Sequence, residues 1–172
     1  MAPLTRPVTI IGKAAGARTG VVDLHFNARK PHQSSLYRRT MHDGTVRRAE
    51  MDTLDNMLAD HPGQRLVVKI DVEGAELEVL EGATRTMQRT GCMFVEVNMG
   101  YLFERERNPL PDVDSLMKGA GLTLYRIMDA TMVGSAADVQ ITKADFCYVS
   151  NGLLAERFTS ARGHAASRRK AR

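Results

Sequence analysis

The chain has 172 residues, and its 24 lysines and arginines exceed its 20 aspartates and glutamates, giving a formal net charge of +4. This length fits one domain with a core of its own, and no apolar run approaches the roughly 20 residues of a membrane-spanning helix. Residues 1–7 have no apolar signal-peptide core, and Cys92 and Cys147 lack metal-ligand spacing, so we expect a cytoplasmic protein with two reduced thiols.

Two β-branched stretches near the start of the chain predict a β-hairpin. Residues 8–11 are Val-Thr-Ile-Ile, residues 21–26 alternate between apolar and polar side chains, and a small-residue turn at 14–20 joins them. Three glycines spaced four apart around this turn do not predict a phosphate-binding loop. Such a loop lies between a strand and a helix, whereas a second strand follows here.

A polar loop, a short strand and a short helix are predicted next. Residues 27–44 contain proline, serine and histidine side chains and form the loop, whereas residues 46–51 form the strand. Thr53 is the type of residue that caps a helix N-terminus, and the sequence His-Pro-Gly at 61–63 ends that helix.

The most informative stretch is Leu66–Glu76, where an apolar run stops abruptly at carboxylates and a glycine. The run predicts a strand covered on both faces of a parallel sheet, then a turn, then a helix that ends at Gly91. Lys69 lies two residues before Asp71 and therefore on the same face of the strand. It either holds an acid ionised or forms a structural ion pair.

A second apolar strand at 92–97 follows this helix and ends in acidic and amide side chains. Strand, helix and strand in this order form a right-handed unit with parallel strands, so both carboxyl ends lie at one rim of the sheet. Ligands of open α/β sheets bind beyond that rim. We therefore expect four polar side chains to face one crevice: Asp71, Glu73, Glu96 and Asn98.

A loop and a helix come next. The charged residues and prolines of 101–111 predict a loop that could cover the crevice. The apolar spacing that follows predicts a helix, with Asp112 or Asp114 as its N-cap and Gly119 or Gly121 at its end.

Two strands, at 122–127 and 146–150, are predicted to complete the sheet. Residues 128–143 form a mixed connection without a clear helix. Because a parallel pair needs a helical crossover, the two strands are expected to form an antiparallel hairpin.

The basic character of the chain is confined to its end. Six lysines and arginines and no acid lie between Arg157 and Arg172, and the rest of the chain has 18 basic and 20 acidic residues. A nucleic-acid-binding fold spreads its basic residues over one face, so we expect no nucleic-acid partner. Residues 157–172 are predicted to form a disordered basic tail.

The run Lys69–Glu76, followed by Leu80, Gly82 and Ala83, resembles the FkbM-type methyltransferases, and the similarity extends over residues 7–150. Enzymes of this type use S-adenosylmethionine and act mostly on hydroxyl groups of natural products and sugars. The resemblance implies an O-methyltransferase with that cofactor and a small-molecule or glycan hydroxyl as acceptor. It also implies a Rossmann-like class I α/β sheet, with strand order 3-2-1-4-5-7-6, in a partial domain at 1–156.

The resemblance also suggests roles for particular residues. Asp71 or Glu73 is the candidate general base, and Glu96 orients the acceptor or raises the pKa of its partner. The cofactor is predicted to contact two small side chains and Asp71, and other residues are predicted to contact the substrate. The cofactor candidates are Ala14, Ala15 and Asp71, and the substrate candidates are Ser34, Ser35 and Asn98, with His32 as a weaker one.

Two other interpretations of the acidic residues remain open at this stage. Asp71, Glu73, Glu96 and Asn98 offer hard oxygen ligands that suit magnesium, although the resemblance requires no metal. Alternatively, Glu73 and Glu76 only complement the positive end of the following helix, and Asp71 caps that helix.

The glycine-rich cofactor loop and the ribose-binding acid of such enzymes are not visible in this sequence. We therefore expect an N-terminally truncated domain that, alone, binds the cofactor weakly or not at all. Without the first strand of the family, the strand at 66–71 exposes a full edge. A complementing chain or a homo-oligomer could fill that edge, and the alternative function is a non-catalytic interaction domain that pairs through it.

Overall fold

The computed structural model describes residues 8–38, 44–61, 63, 65–99, 109–135 and 138–157, which form a mixed α/β fold with two mixed sheets. The strands are β1 (Ala14–Ala15), β2 (Gly20–His25), β3 (Val46–Asp52), β4 (Leu66–Ile70), β5 (Thr90–Asn98), β6 (Leu122–Ser135) and β7 (Asp138–Ser150). The helices are α1 (Leu54–Met57), α2 (Glu76–Glu81), α3 (Thr84–Gln88), α4 (Leu110–Gly119) and α5 (151–157). None of the helices in the described ranges is long and apolar enough to cross a membrane.

The larger sheet has the strand order β4-β5-β7-β6. β4 and β5 are parallel and are joined through α2 and α3, whereas β7 runs antiparallel to both β5 and β6. The prediction of four strands in one sheet that ends in an antiparallel hairpin is confirmed. The order of these strands equals the last four positions of the order that the resemblance implies.

The mixed connection predicted at 128–143 is wrong. β6 continues to Ser135 and β7 begins at Asp138, and the two strands pair along this whole length with shifts in register. The outer part of the hairpin exposes apolar side chains, such as Met132 at 62% and Ile141 at 46%. It therefore lacks the alternation of apolar and polar residues that marks a half-buried strand.

One face of the larger sheet packs against the helices and forms the hydrophobic core. Met93 and Val95 of β5 and Tyr148 of β7 are buried there against Leu80 of α2 and Met117 of α4. The apolar stripes of these short helices cover the sheet, and this burial stabilises helices that would be marginal alone.

The opposite face of β4 is open among the described residues, so the prediction that β4 is covered on both faces is wrong. Burial alternates along the strand, and Val67 is 74% exposed although it is apolar.

Further along this face of the sheet, Leu153 and Leu154 of α5 line a cavity together with Cys92. Both cysteines are free thiols, and the two Sγ atoms lie 3.6 Å apart.

The single helix predicted between β4 and β5 is interrupted at Gly82 and Ala83. The carboxylate of Asp55 accepts hydrogen bonds from the backbone N–H groups of Arg85 (2.9 Å) and Thr86 (2.7 Å), which starts α3 as a separate helix. Gly91 does not end this helix, since it lies inside β5. Tertiary contacts from α1 therefore override the continuous helical pattern.

One of the two predicted helix caps is confirmed and the other is wrong. Thr53 caps α1 as predicted, because its hydroxyl accepts from the backbone N–H of Asn56 at 3.1 Å. The predicted aspartate cap of α4 is wrong, since Pro109 occupies the N-cap without a side-chain cap bond. Asp114 instead lies inside the helix, with a carboxylate oxygen 2.6 Å from Lys118 Nζ. Gly121, with φ of 80°, follows the end of α4 as predicted.

The smaller sheet has the order β1-β3-β2, with β1 parallel and β2 antiparallel to β3. The predicted hairpin of 8–11 with 21–26 is therefore wrong, because β2 pairs with β3 and residues 8–11 form no strand. Val8 and Ile10 are 86% and 88% exposed. Their β-branched composition favours a strand only where a neighbouring strand can pair with them.

Two further predictions fall wholly or mainly outside the described residues. The loop predicted at 101–111 overlaps the described part of the chain only at 109–111, at the start of α4. The tail predicted at 157–172 overlaps it only at Arg157, which belongs to α5.

Candidate active site

Three carboxylates meet at one rim of the larger sheet. One oxygen each of Asp71, Glu73 and Glu96 lies within 4.8 Å of the others. The register explains this meeting, because Ile70 is opposite Val95 in the parallel pair and the next residues are Asp71 and Glu96. The prediction that the acids following β4 and those in β5 share one rim is confirmed.

A strained turn holds Glu73 at this rim. Glu73 has a φ of 54° and Gly74 a φ of 107°, so two successive residues adopt left-handed backbone conformations. Glu76 is fully buried behind them, and its carboxylate accepts from the Gly74 N–H at 2.8 Å. Asp71 does not cap α2, since the N-cap is Ala75 and no side-chain cap bond is present.

Two lysines and a fourth acid on the same sheet face surround the cluster. Lys69 Nζ lies 3.2 Å from Asp71 Oδ2 and 3.7 Å from Asp145 Oδ1, and Lys143 Nζ lies 2.6 Å from Glu96 Oε2. Asp145 is directly opposite Glu96 in the β5–β7 pair. Sequence reasoning missed Lys143 and Asp145, although their alternation with buried Ala144 and Phe146 is the signal that could have found them.

The protonation of Glu96 is shifted by its surroundings. Burial raises its pKa above the usual 4.5, the ammonium group of Lys143 lowers it, and the charges of Asp71 and Glu73 raise it again. The net pKa is raised. Burial alone would lower the pKa of Lys143, but its bond to Glu96 and the negative charges of Glu96, Glu73 and Asp71 together raise it. Glu96 is thus a stronger base than a solvated carboxylate.

Three buried polar atoms at this rim have no hydrogen-bond partner within the described residues. One is Asp145 Oδ1, which lies 3.7 Å from Lys69 Nζ, and the others are Glu96 Oε1 and Asn98 Nδ2, in side chains that are 7% and 4% exposed. Residues two apart in a strand face the same side of the sheet, so the side chains of Glu96 and Asn98 both face the rim. Unpaired buried polar atoms of this kind are rare and call for an explanation.

A cavity of about 480 Å³ lies beside the rim and brings together most of the predicted cofactor and substrate residues. Ser35 closes it against the turn, since its Oγ donates to the backbone oxygen of Glu73 at 2.6 Å. Asp71 and Asn98 are not among the lining residues, and His32 is exposed on the surface. The lining includes Ala14, Ala15, Ser34, Ser35, Val72 and Ala75.

Asp52 fixes one end of the cavity wall and was not singled out as a site residue by the sequence. It lies opposite Ala15 in the smaller sheet and accepts hydrogen bonds from Lys13 (3.1 Å), Thr19 (2.9 Å) and Asn56 (2.9 Å). Bonds from Asn56, Thr19 and Lys13 hold the pKa of Asp52 well below its usual range. The residue therefore organises the β1–β2 loop as a permanent anion.

A comparison with known protein families identifies a match over most of this region. The family model described as the methyltransferase FkbM domain matches residues 7–124, which include Ala14, Ser35, Asp71 and Asn98. No curated protein and no solved structure matches the chain. Lys143 and Asp145 of β7 lie beyond the matched residues.

Proposed function

The chain belongs to the FkbM methyltransferase domain family, and we propose that it transfers a methyl group from S-adenosylmethionine to a hydroxyl of a small molecule or sugar. The observation that carries this proposal is the meeting of Asp71, Glu73 and Glu96 within 4.8 Å at one rim. Carboxylates at the carboxyl ends of neighbouring parallel strands occupy the position where ligands of open α/β sheets bind.

Methyl transfer to a hydroxyl requires two contributions from the protein. When bound, the cofactor supplies an electrophilic methyl group on a positively charged sulfur. The chain must align the acceptor oxygen, an effect that can lower the barrier by about 7–11 kcal/mol, and must take up its proton, which contributes roughly 10²–10⁴-fold. The carboxylates at the rim are suited to the second task.

Glu96 is the best candidate for the base. The sequence favoured Asp71 or Glu73, but Asp71 is 41% exposed in its side chain and paired with Lys69 at 3.2 Å. Glu96 is buried, its pKa is raised, and Lys143 holds only Oε2, so that Oε1 is left to accept the hydroxyl proton. Asp71 and Glu73 then keep Glu96 basic through their negative charges.

The residues beside the rim fit the implied cofactor. A cavity of about 480 Å³ is within the usual range for small-molecule sites, and Ala14 and Ala15 leave room along one wall. The carboxylates at the rim favour a cationic sulfonium group nearby, and Asp71 belongs to this rim although it does not line the cavity. Ser34 and Ser35 line the same cavity and are proposed to contact the acceptor, with Asn98 at the rim.

Calorimetry with S-adenosylmethionine and transfer of a labelled methyl group to a panel of hydroxyl compounds test the proposal. We expect at most weak cofactor binding, since the glycine-rich cofactor loop is not visible in the sequence, and we expect Glu96→Gln to lower the transfer rate by about 10²–10⁴-fold with that affinity unchanged. Glu81→Gln, a change at an exposed acid of α2, is the matched control. Absence of both binding and transfer would contradict methyl transfer by this chain.

A second candidate function rests on the edge of β4. This strand is the outer member of its sheet among the described residues, and Val67 beside that edge is 74% exposed. Exposed strand edges pair readily with other chains. A non-catalytic interaction domain would bind a partner or a second copy through this edge. Size-exclusion chromatography with light scattering distinguishes the two candidates, because a clean monomer disfavours self-pairing.

A further inference from the structure

We infer that Glu96 and Asn98 together hold the acceptor hydroxyl, and that the charged groups around them select neutral or cationic hydroxyl compounds over anionic ones. This inference rests on the proposed function and names the substrate class for the same site. It starts from two buried atoms that have no partner among the described residues, one an acceptor and one a donor.

The two atoms form a complementary pair. Glu96 Oε1 accepts, Asn98 Nδ2 donates, and both side chains are more than nine-tenths buried on the same face of β5. A hydroxyl group both donates and accepts, so a single hydroxyl between them would satisfy both atoms. Sites built to bond a substrate hydroxyl can reject analogues that lack it by about 10⁴–10⁵-fold.

The surrounding charges determine which hydroxyl compounds enter. Among the described residues, the carboxylates of Asp71, Glu96 and Asp145 face two ammonium groups, those of Lys69 and Lys143, and Glu73 is a further acid of the rim. Even without Glu73, these described groups carry a net negative charge. Phosphorylated or carboxylated acceptors are repelled, whereas a neutral sugar is tolerated and an amino sugar is attracted.

A divalent cation fits the rim less well than a hydroxyl. The Nζ atoms of Lys69 and Lys143 already contact carboxylate oxygens of Asp71 and Glu96, at 3.2 Å and 2.6 Å. A divalent ion would have to displace these ammonium groups or share the acids with them. The open atom of Asn98 is also a donor, which cannot ligate a metal.

The test follows the side-chain amide of Asn98 by NMR in the ¹⁵N-labelled chain without cofactor. Glucose, glucosamine and glucose 6-phosphate are the probes. We expect glucose and glucosamine to shift this amide signal, with glucose 6-phosphate at least about tenfold weaker at low salt and this difference reduced at high salt. Equal or tighter binding of glucose 6-phosphate overturns the inference, as does an Asn98 signal that no probe moves.

Variants separate the site from a general effect on folding. Asn98→Ala should abolish the shifts that glucose causes in the neighbouring backbone amides, and Glu96→Gln should abolish the response of the Asn98 side-chain amide. Gln88→Ala and Glu81→Gln, changes at exposed positions, should preserve both responses. Circular dichroism checks the fold, and Glu96→Gln, which keeps the side-chain shape, decides the result if Asn98→Ala unfolds. A shift of the Asn98 amide by Mg²⁺ alone, abolished in Glu96→Gln, overturns the inference in favour of a metal site.

The test of the hydroxyl site is independent of the test of methyl transfer, because these titrations contain no cofactor. Sugar binding through Glu96 and Asn98 in a chain that binds no S-adenosylmethionine would contradict the methyltransferase proposal and support the hydroxyl site. Cofactor binding with no response to any sugar would contradict the hydroxyl site alone.

Discussion

The two sheets of this protein differ in how much of them is buried. The larger sheet buries the central part of one face under α2, α3 and α4, and Leu80, Met93 and Tyr148 have no exposed surface. In the smaller sheet only Met51 is buried among the strand residues, and Val21 and Val46 are 55% and 48% exposed. Hydrophobic burial therefore stabilises mainly the larger sheet.

The candidate site draws on both sheets in different ways. The larger sheet supplies the charged rim, where strand register sets the positions of the acids. The smaller sheet supplies the cavity wall with Ala14 and Ala15. The contacts that join the halves include Ser35 to Glu73, Asp55 to the start of α3, and the close approach of Gly16 to Gly82. A rigid rim beside a less buried wall suits a site that must hold catalytic groups firmly and admit ligands.

The largest expected effect is on the core of the larger sheet. Leu80→Ala should lower the free energy of unfolding by about 2–5 kcal/mol, because it opens a cavity in a fully buried layer. Val21→Ala in the smaller sheet should change it by no more than about 0.5 kcal/mol. Urea denaturation of both variants measures the difference, and equal losses would contradict the contrast between the sheets.

The contact between Gly16 and Gly82 gives the next largest effect. A Cβ on Gly82 would collide with the backbone oxygen of Gly16, whereas a Cβ on Gly16 would meet only the flexible side chain of Met51. Gly82→Ala should therefore cost about 1–3 kcal/mol of stability, and Gly16→Ala should cost less. Thermal unfolding of the two variants tests this order, which fails if Gly16→Ala is the more damaging change.

Asp55 provides a smaller and pH-dependent link between the halves. Burial alone would raise its pKa, but hydrogen bonds from Arg85 and Thr86 outweigh burial and lower it below the usual 3.8. A lowered folded pKa means that this stabilisation is present above the unfolded pKa and is lost as pH falls through the folded value. Asp55→Ala should cost about 0.5–2 kcal/mol at neutral pH, as for a lost helix cap.

Urea melts from neutral to acid pH check the Asp55 prediction. The difference between the native chain and Asp55→Ala should shrink as pH falls below the usual carboxyl pKa of 3.8. Asp60→Ala, a change at an exposed acid for comparison, should show no such trend. A constant difference across this range would contradict the role of the ionised Asp55 carboxylate.

The smallest expected effect concerns Glu96 and has the opposite sign with pH. Burial raises the pKa of Glu96 in the folded chain above 4.5. The contribution of Glu96 to folding stability is therefore complete below the unfolded pKa and is lost as pH rises through the folded pKa. The stability of the native chain relative to Glu96→Gln should therefore fall as pH rises from acid towards neutral. Melts at several pH values measure this slope, and a rising slope would contradict a raised pKa.

The sequence was most reliable where an apolar pattern coincided with burial. The run at 66–70, the strand at 92–97 and the helix at Val113 to Met117 were predicted correctly, because their apolar residues face the core. The predictions failed where composition and environment disagreed. Residues 8–11 are β-branched but pair with nothing among the described residues, and β6 and β7 extend as an exposed ladder.

The candidate site shows the same division. Asp71, Glu73 and Glu96 were predicted to meet because parallel neighbouring strands end at one rim, which is a consequence of topology alone. Lys143 and Asp145 were not predicted, since their place beside Glu96 depends on the antiparallel register of β7. The break at Gly82 was also not predicted from the helical pattern, because its cause is a tertiary contact, the hydrogen bonds that Asp55 accepts from the start of α3.

The order of residues along the chain was enough to identify the family, the strands of the larger sheet and the rim at which its acids meet, since these features follow from motifs, local apolar patterns and the handedness of the crossover. The three-dimensional fold was needed to know which acid is buried, which lysine contacts it and which buried polar atoms have no partner among the described residues. Burial and pairing depend on register and on contacts between distant residues, and no local pattern encodes them.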